Sequence, residues 1–157
     1  MTLIIRGKTV CKICGRTLLD GEEVDGFPPF VPNQADPLAF FNDAAFHSVC
    51  FQQHPLSQAA EARFQECREK GSSGNRTCAI CGRVIQNPDD YLGFGHLTDD
   101  PSQPAHALDY LKVHRSCLAT WTDLGKTREA LLKLSESGAW KGPGLDWLIE
   151  QLYGTNK

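Results

Sequence analysis

Two stretches of the chain carry the same four residue types at the same spacing. Cys11-Lys-Ile-Cys14 is followed by His47-Ser-Val-Cys50, and Cys78-Ala-Ile-Cys81 by His114-Arg-Ser-Cys117. In each, 32 residues lie between the second cysteine and the histidine, so every member is offset by 67 positions and no gap is needed. Across these forty positions ten residues are identical: the four just named plus Ile13/Ile80, Gly15/Gly82, Arg16/Arg83, Gly26/Gly93, Phe27/Phe94 and Pro37/Pro104. Chance does not place four such residue types in register twice. The pattern reads as an internal duplication, so the chain is expected to fold as two copies of one small unit.

Seven cysteines in 157 residues would suggest disulfides in a short secreted protein. The opening Met1–Lys8 has an apolar run of only three residues, too short for a signal-peptide core. No run of eighteen apolar residues is present either, so the expectation is a cytoplasmic protein with no membrane span. Paired cysteines with duplicated histidines then point to metal. Zinc accepts thiolate and imidazole in a tetrahedral shell that four protein ligands close. The expected ligands are Cys11, Cys14, His47 and Cys50 for one ion and Cys78, Cys81, His114 and Cys117 for the other, both ions structural. Gly15 and Gly82 would supply the positive φ of a tight cysteine knuckle. His47 and Cys50, three apart on a helix, would face the same ion. A unit of about forty residues buries too little apolar surface to stand alone, so metal is a reasonable staple.

This arrangement resembles the treble-clef zinc finger, in which a CxxCG knuckle, a β-hairpin and a helix bring four ligands together. The resemblance covers each forty-residue unit and implies fold rather than function. The spacing is also similar to the tandem Cys-Cys-His-Cys fingers of poly(ADP-ribose) polymerases, which implies a nucleic-acid-binding alternative. The segment between ligand pairs is somewhat longer here, and both units are acidic.

Thr17–Leu19 and Val24–Phe27 read as short strands around an Asp20-Gly21 turn. In the second copy Val84-Ile85 and Tyr91–Phe94 flank Asn87-Pro88-Asp89-Asp90. Asp36-Pro37 is predicted to open a one-turn helix, with aspartate as cap, and Pro104 holds the matching place. Ala44–Phe46 and Leu111–Val113 are expected to be strands leading into each HxxC. Ser57 to about Lys70 reads as a helix with Leu56, Ala60, Phe64 and Cys67 on one face. Gly71-Ser72-Ser73-Gly74-Asn75 reads as a break, which divides the chain into 1–74 and 75–157. After Cys117 a helix is expected to run to Gly125, Thr127 to cap a second, and Gly142-Pro143-Gly144 to precede a third carrying Leu145, Leu148 and Leu152. Trp121, Trp140 and Trp147 in this tail are expected to form a core on the second unit. The fold class is small α+β and zinc-stabilised: two treble-clef-like modules, a helical linker and a helical C-terminal extension.

Catalysis is not expected, because closed four-ligand shells leave no position for water or substrate. His-Asn-His nucleases also use a treble-clef frame, and His96, His106 or Asp109 would be the residues to hold a catalytic ion. His96 follows the second strand, however, and after Cys117 no histidine or carboxylate occurs until Asp123. His54 reads as a helix-end residue and Cys67 as a buried free thiol. Arg16 and Arg83 sit where a guanidinium would offset the charge of three thiolates and one Zn²⁺.

The net charge is −3, unevenly spread. Cys11–Cys50 holds two basic and six acidic residues, and Cys78–Cys117 three and five. Glu22, Glu23, Asp25, Asp89, Asp90, Asp99 and Asp100 line the hairpin edges, a surface that repels phosphate backbones and suits a basic protein. Phe27–Pro32 is a proline-rich stretch found only in the first copy and reads as a stiff loop. The leading expectation is therefore a non-catalytic protein that binds another protein, in the manner of an antitoxin-like immunity or inhibitor protein.

Overall fold

The computed structural model describes residues 3–72, 74 and 76–154. The expected break at 71–75 lies partly outside them, at Ser73 and Asn75. The chain packs as two units, Met1–Val31 with Asp36–Glu66, and Pro32–Ala35 with Cys67–Lys157. It is a small α+β protein in which the described residues form two short antiparallel sheets, each a pair of strands.

In the first unit β1 (Val24–Phe27) pairs with β2 (Ala44–His47), setting Val24 opposite His47 and Phe27 opposite Ala44. The expected hairpin of 17–19 with 24–27 does not form. Thr17 instead bridges to Val10 across the knuckle. The Asp20-Gly21 turn is present, with Gly21 at φ 83° and Leu19 N–H donating to Glu22 Oε2. β1 finds its partner twenty residues ahead because all four residues of β2 are buried and need a covered ladder. Between the strands Asp36 caps the 3₁₀ turn Pro37–Phe41 by accepting from Leu38 N–H, as its sequence predicts. α1 (Ser48–Gln52) and α2 (Ser57–Gly71) follow. The core is aromatic. Phe41 and Phe46 are fully buried, and Phe27 lies within 5.1–6.4 Å of the rings of Phe30, Phe41, Phe46, Phe51 and Phe64. Each fully buried phenylalanine stabilises by roughly 1.5–3 kcal/mol.

In the second unit β3 (Tyr91–Gly93) pairs with β4 (Lys112–His114), Tyr91 opposite His114. The 3₁₀ turns Pro88–Asp90, Pro104–Leu108 and Arg115–Thr120 surround this pair. The core is aliphatic, with Leu92, Leu97, Val113, Leu118, Leu131, Leu134, Leu145 and Leu152 buried together.

The tail departs from expectation at its start. The turn carrying Cys117 ends at Thr120, whose hydroxyl ties back to the Cys117 carbonyl at 3.0 Å. α3 (Leu124–Glu136) then begins afresh, with Gly125 in its first turn and Thr127 buried inside it rather than capping it. α4 (Pro143–Tyr153) buries Leu145, Leu148 and Leu152 as predicted. Trp121 and Trp140 pack against the core, whereas Trp147 is 47% exposed with Arg115 over its ring. Asn33 and Gln34 belong to this unit and hydrogen-bond the backbone of Ala139 and Lys141.

Candidate metal centres

Each knuckle is closed by the same pair of backbone bonds. Cys11 N–H donates to Arg16 O at 2.8 Å and Gly15 N–H to Cys11 O at 2.8 Å; Cys78 to Arg83 and Gly82 to Cys78 repeat this at 2.9 Å. Gly15 and Gly82 take φ of 72° and 70°, the left-handed conformation a Cβ disfavours. Lys12 N–H to Ala45 O and Ala79 N–H to Lys112 O then dock each knuckle on the strand that ends in histidine. His47 and His114 are extended residues at the strand–helix junction, with ψ of 135° in both, and the next turn carries Cys50 or Cys117. That turn is α-helical in the first unit and 3₁₀ in the second.

The structure thereby gathers Cys11, Cys14, His47 and Cys50, and separately Cys78, Cys81, His114 and Cys117, with the ligand atoms of each group within 4.8 Å of one another. Cys14 Sγ is 3.4 Å from His47 Nδ1, Cys50 Sγ 3.9 Å, and Cys81 Sγ 3.4 Å from His114 Nδ1. A tetrahedral zinc with ordinary bond lengths sets sulfur–nitrogen edges of about 3.6 Å, so the donor sets fit such an ion. Nδ1 is the nitrogen that faces the sulfurs in both.

The electrostatics of the groups also call for a cation. The Cys14 thiol is pushed down to about 6 by the Arg16 backbone N–H and then by its guanidinium; Cys81 reaches about 6 through Arg83 in the same way. At Cys11 and Cys78 burial works upward but is outweighed by hydrogen bonds from the knuckle and from the histidine. Burial, then the neighbouring cysteines, push Cys50 and Cys117 up to about 11. A third thiolate is therefore costly until a divalent ion sits among the three. Arg16 and Arg83 hydrogen-bond Cys14 and Cys81, the charge-offsetting place their sequence position suggests.

Outside the ligands the two centres differ. Glu22 Oε2 lies 3.1 Å from His47 Nε2, the ring nitrogen turned away from the sulfurs, where a carboxylate orients a metal-binding imidazole. Asp89, the matching residue, is exposed. Its neighbour Asp90 instead accepts from Ser116 N–H and Ser116 Oγ, both at 2.8 Å, tying the turn before β3 to the turn that bears Cys117.

A second matched feature escaped the sequence reading. Asn42 Oδ1 accepts from the N–H groups of Phe30 and Val31, at 3.0 Å each, and Asp109 Oδ1 accepts from Leu97 and Thr98, at 2.7 and 3.3 Å. These are equivalent positions at the same 67-residue offset. Asp43 and Tyr110, which follow them, are the two non-glycine residues with positive φ among those described, 49° and 56°. Where Asn42 uses Nδ2 to reach Val31 O, Asp109 has a second oxygen 3.1 Å from His96 Nδ1, within ion-pair distance though not aligned as a hydrogen bond. His96 is thus 8% exposed and part of a loop brace, not a polar surface residue; His106 is exposed. The signal was an amide or carboxylate oxygen at one register position in both copies.

No protein-family model, curated protein or solved structure matches this chain.

Proposed function

We propose that the chain is a non-catalytic protein held together by two structural zinc ions, built from two treble-clef-like modules related by duplication, and that it acts by binding a basic protein as an inhibitor or immunity protein does. The observation that carries this reading is the pair of complete Cys₃His groups, each with four protein donors and a supporting arginine. A shell of that kind stabilises a surface rather than opening a site for chemistry. Duplication is supported by knuckle bonds, histidine conformation and loop braces that all recur at an offset of 67.

The binding half of the proposal rests on acidic edges. Glu22 and Asp90 are engaged by other groups of the chain, so the acids proposed for it are the exposed Glu23 and Asp89. The test is a tagged pull-down of zinc-loaded chain from nuclease-treated native lysate, with a Glu23→Lys, Asp89→Lys variant beside it. One basic protein recovered in equal amount, and lost with the variant, supports the reading. Recovery that depends on nucleic acid, or that survives charge reversal, contradicts it.

A further inference from the structure

One strand position facing the core carries a carboxylate in the first unit and a leucine in the second. Directly paired residues of an antiparallel ladder share a face, as do alternate residues of one strand. Asp25 is opposite the fully buried Phe46 and two residues before Phe27, so it stands on the core side of β1. The corresponding pair in the second unit is Leu92 and Val113, both fully buried in the aliphatic core. Asp25 is instead half-buried, and a cavity of about 320 Å³ opens beside it.

Three elements of the first unit line the cavity: Asp25 and Phe27 on β1, Phe51 and Gln52 on α1, Glu61 and Phe64 on α2. Phe27 and Phe51 are almost fully buried with ring centres 5.1 Å apart, and Phe64 meets Phe27 edge-on at 5.2 Å. The walls are therefore aromatic, and both charged groups on them are acidic. Among the described residues, neither the Asp25 nor the Glu61 carboxylate has a hydrogen bond or an ion pair. The unit's three arginines are engaged elsewhere: Arg6 donates to Leu19 O, Arg16 to Cys14, and Arg63 pairs with Asp36 and Glu66. A carboxylate set against aromatic rings is costly where water is excluded, until a cation meets it.

We propose that this cavity receives an arginine side chain of a protein partner, with the Asp25 and Glu61 carboxylates as its acceptors. A guanidinium fits better than an ammonium: it is planar, more weakly hydrated, and offers five N–H donors while lying against aromatic rings. Its charge-assisted bonds to carboxylates are also the strong kind. At about 320 Å³ the cavity stands at the small end of ligand sites, roughly 300–1,000 Å³, which suits one side chain rather than a large ligand. That the arginine comes from a protein rests on the proposed binding of a basic partner; the cavity's preference for a guanidinium does not.

The test is a titration of the zinc-loaded full chain with Nα-acetylarginine amide and, separately, with free arginine, read by amide chemical shifts at constant ionic strength. Saturable shifts with the blocked amide are expected at Asp25, Gly26, Gln52 and Glu61, with the Cys78–Cys117 amides unmoved. The matching lysine amide should bind more weakly, and the uncharged citrulline amide not at all. Asp25→Asn and Glu61→Gln should each weaken binding by roughly tenfold or more, the scale of a lost hydrogen bond between charged groups. Asp25→Leu should abolish binding while zinc content and stability are retained, because leucine is what the second unit carries there. Shifts that never saturate, equal binding of the citrulline or lysine amide, affinity that survives both carboxylate substitutions, or tighter binding of free arginine than of the blocked amide overturns the proposal. Those outcomes judge the cavity without any partner, whereas a failed pull-down contradicts the basic partner and leaves guanidinium binding standing.

Discussion

The two Cys₃His groups share their ligands, their knuckle glycines and their arginines, yet they are finished differently. Around the first, phenylalanine rings make the core and Glu22 holds the histidine's second nitrogen. Around the second, the core is aliphatic, helices α3 and α4 supply much of it, and Asp90 secures the ligand-bearing turn instead. What repeats is the geometry that brings four donors to one point. What varies is how the donors are oriented and how the rest is covered. The frame is thus set by a few backbone bonds and one positive-φ glycine, and it tolerates wide change in the side chains that pack on it.

The sharpest way to break the equivalence is to remove one ligand at a time. Cys11→Ser should abolish metal binding and packing in the first unit while leaving the second ion bound, and Cys78→Ser should do the reverse. Structural zinc in small fingers contributes on the order of 10 kcal/mol, more than a forty-residue unit recovers from its own core. Metal content per chain should fall from two to one, and amide spectra should show which half is lost.

The loop braces come next. Asn42→Ala and Asp109→Ala each orphan two backbone N–H groups, at about 1–3 kcal/mol apiece before water compensates. Urea unfolding at saturating zinc should show both variants destabilised by about 2 kcal/mol or more. Asp109→Asn should keep most of that stability, because the amide oxygen of Asn42 already does this work in the first unit.

Smaller still is the outer partner of the histidine. Glu22→Gln should weaken zinc at the first centre by about 10–100-fold, as loss of a carboxylate behind a ligating histidine does. Asp89→Asn at the matching position should leave the second centre unchanged, and chelator competition on the two single-site variants separates them.

The mildest effect concerns Asp90. Its carboxyl is held below the ordinary carboxylate value by the Ser116 N–H and then by the Ser116 hydroxyl. A lowered folded-state pKa stabilises above the unfolded value and is lost as pH falls through the folded one. Asp90→Asn should therefore cost on the order of 1 kcal/mol near neutrality, with the gap to the wild type closing in acid.

The donor sets were readable in the chain because spacing repeats without a gap and thiol and imidazole have few other uses in that pattern. The Asp36 cap and the α4 face were readable because both depend on neighbours within one turn. The β1–β2 pairing was not, since a local Asp-Gly turn suggested a nearer partner than the buried strand twenty residues on. Asn42 and Asp109 were missed as a pair because their side chains differ, although the oxygen that matters is the same. Burial of His96 was not legible either, because it depends on Asp109, thirteen residues on, standing 3.1 Å from its ring.

The most direct test is metal content together with X-ray absorption at the zinc edge on purified, zinc-saturated chain. Two tightly held zinc ions per chain are expected, each with three sulfur neighbours at about 2.3 Å and one nitrogen at about 2.0 Å. Fewer than two ions, or a first shell containing oxygen, would contradict two closed Cys₃His zinc sites.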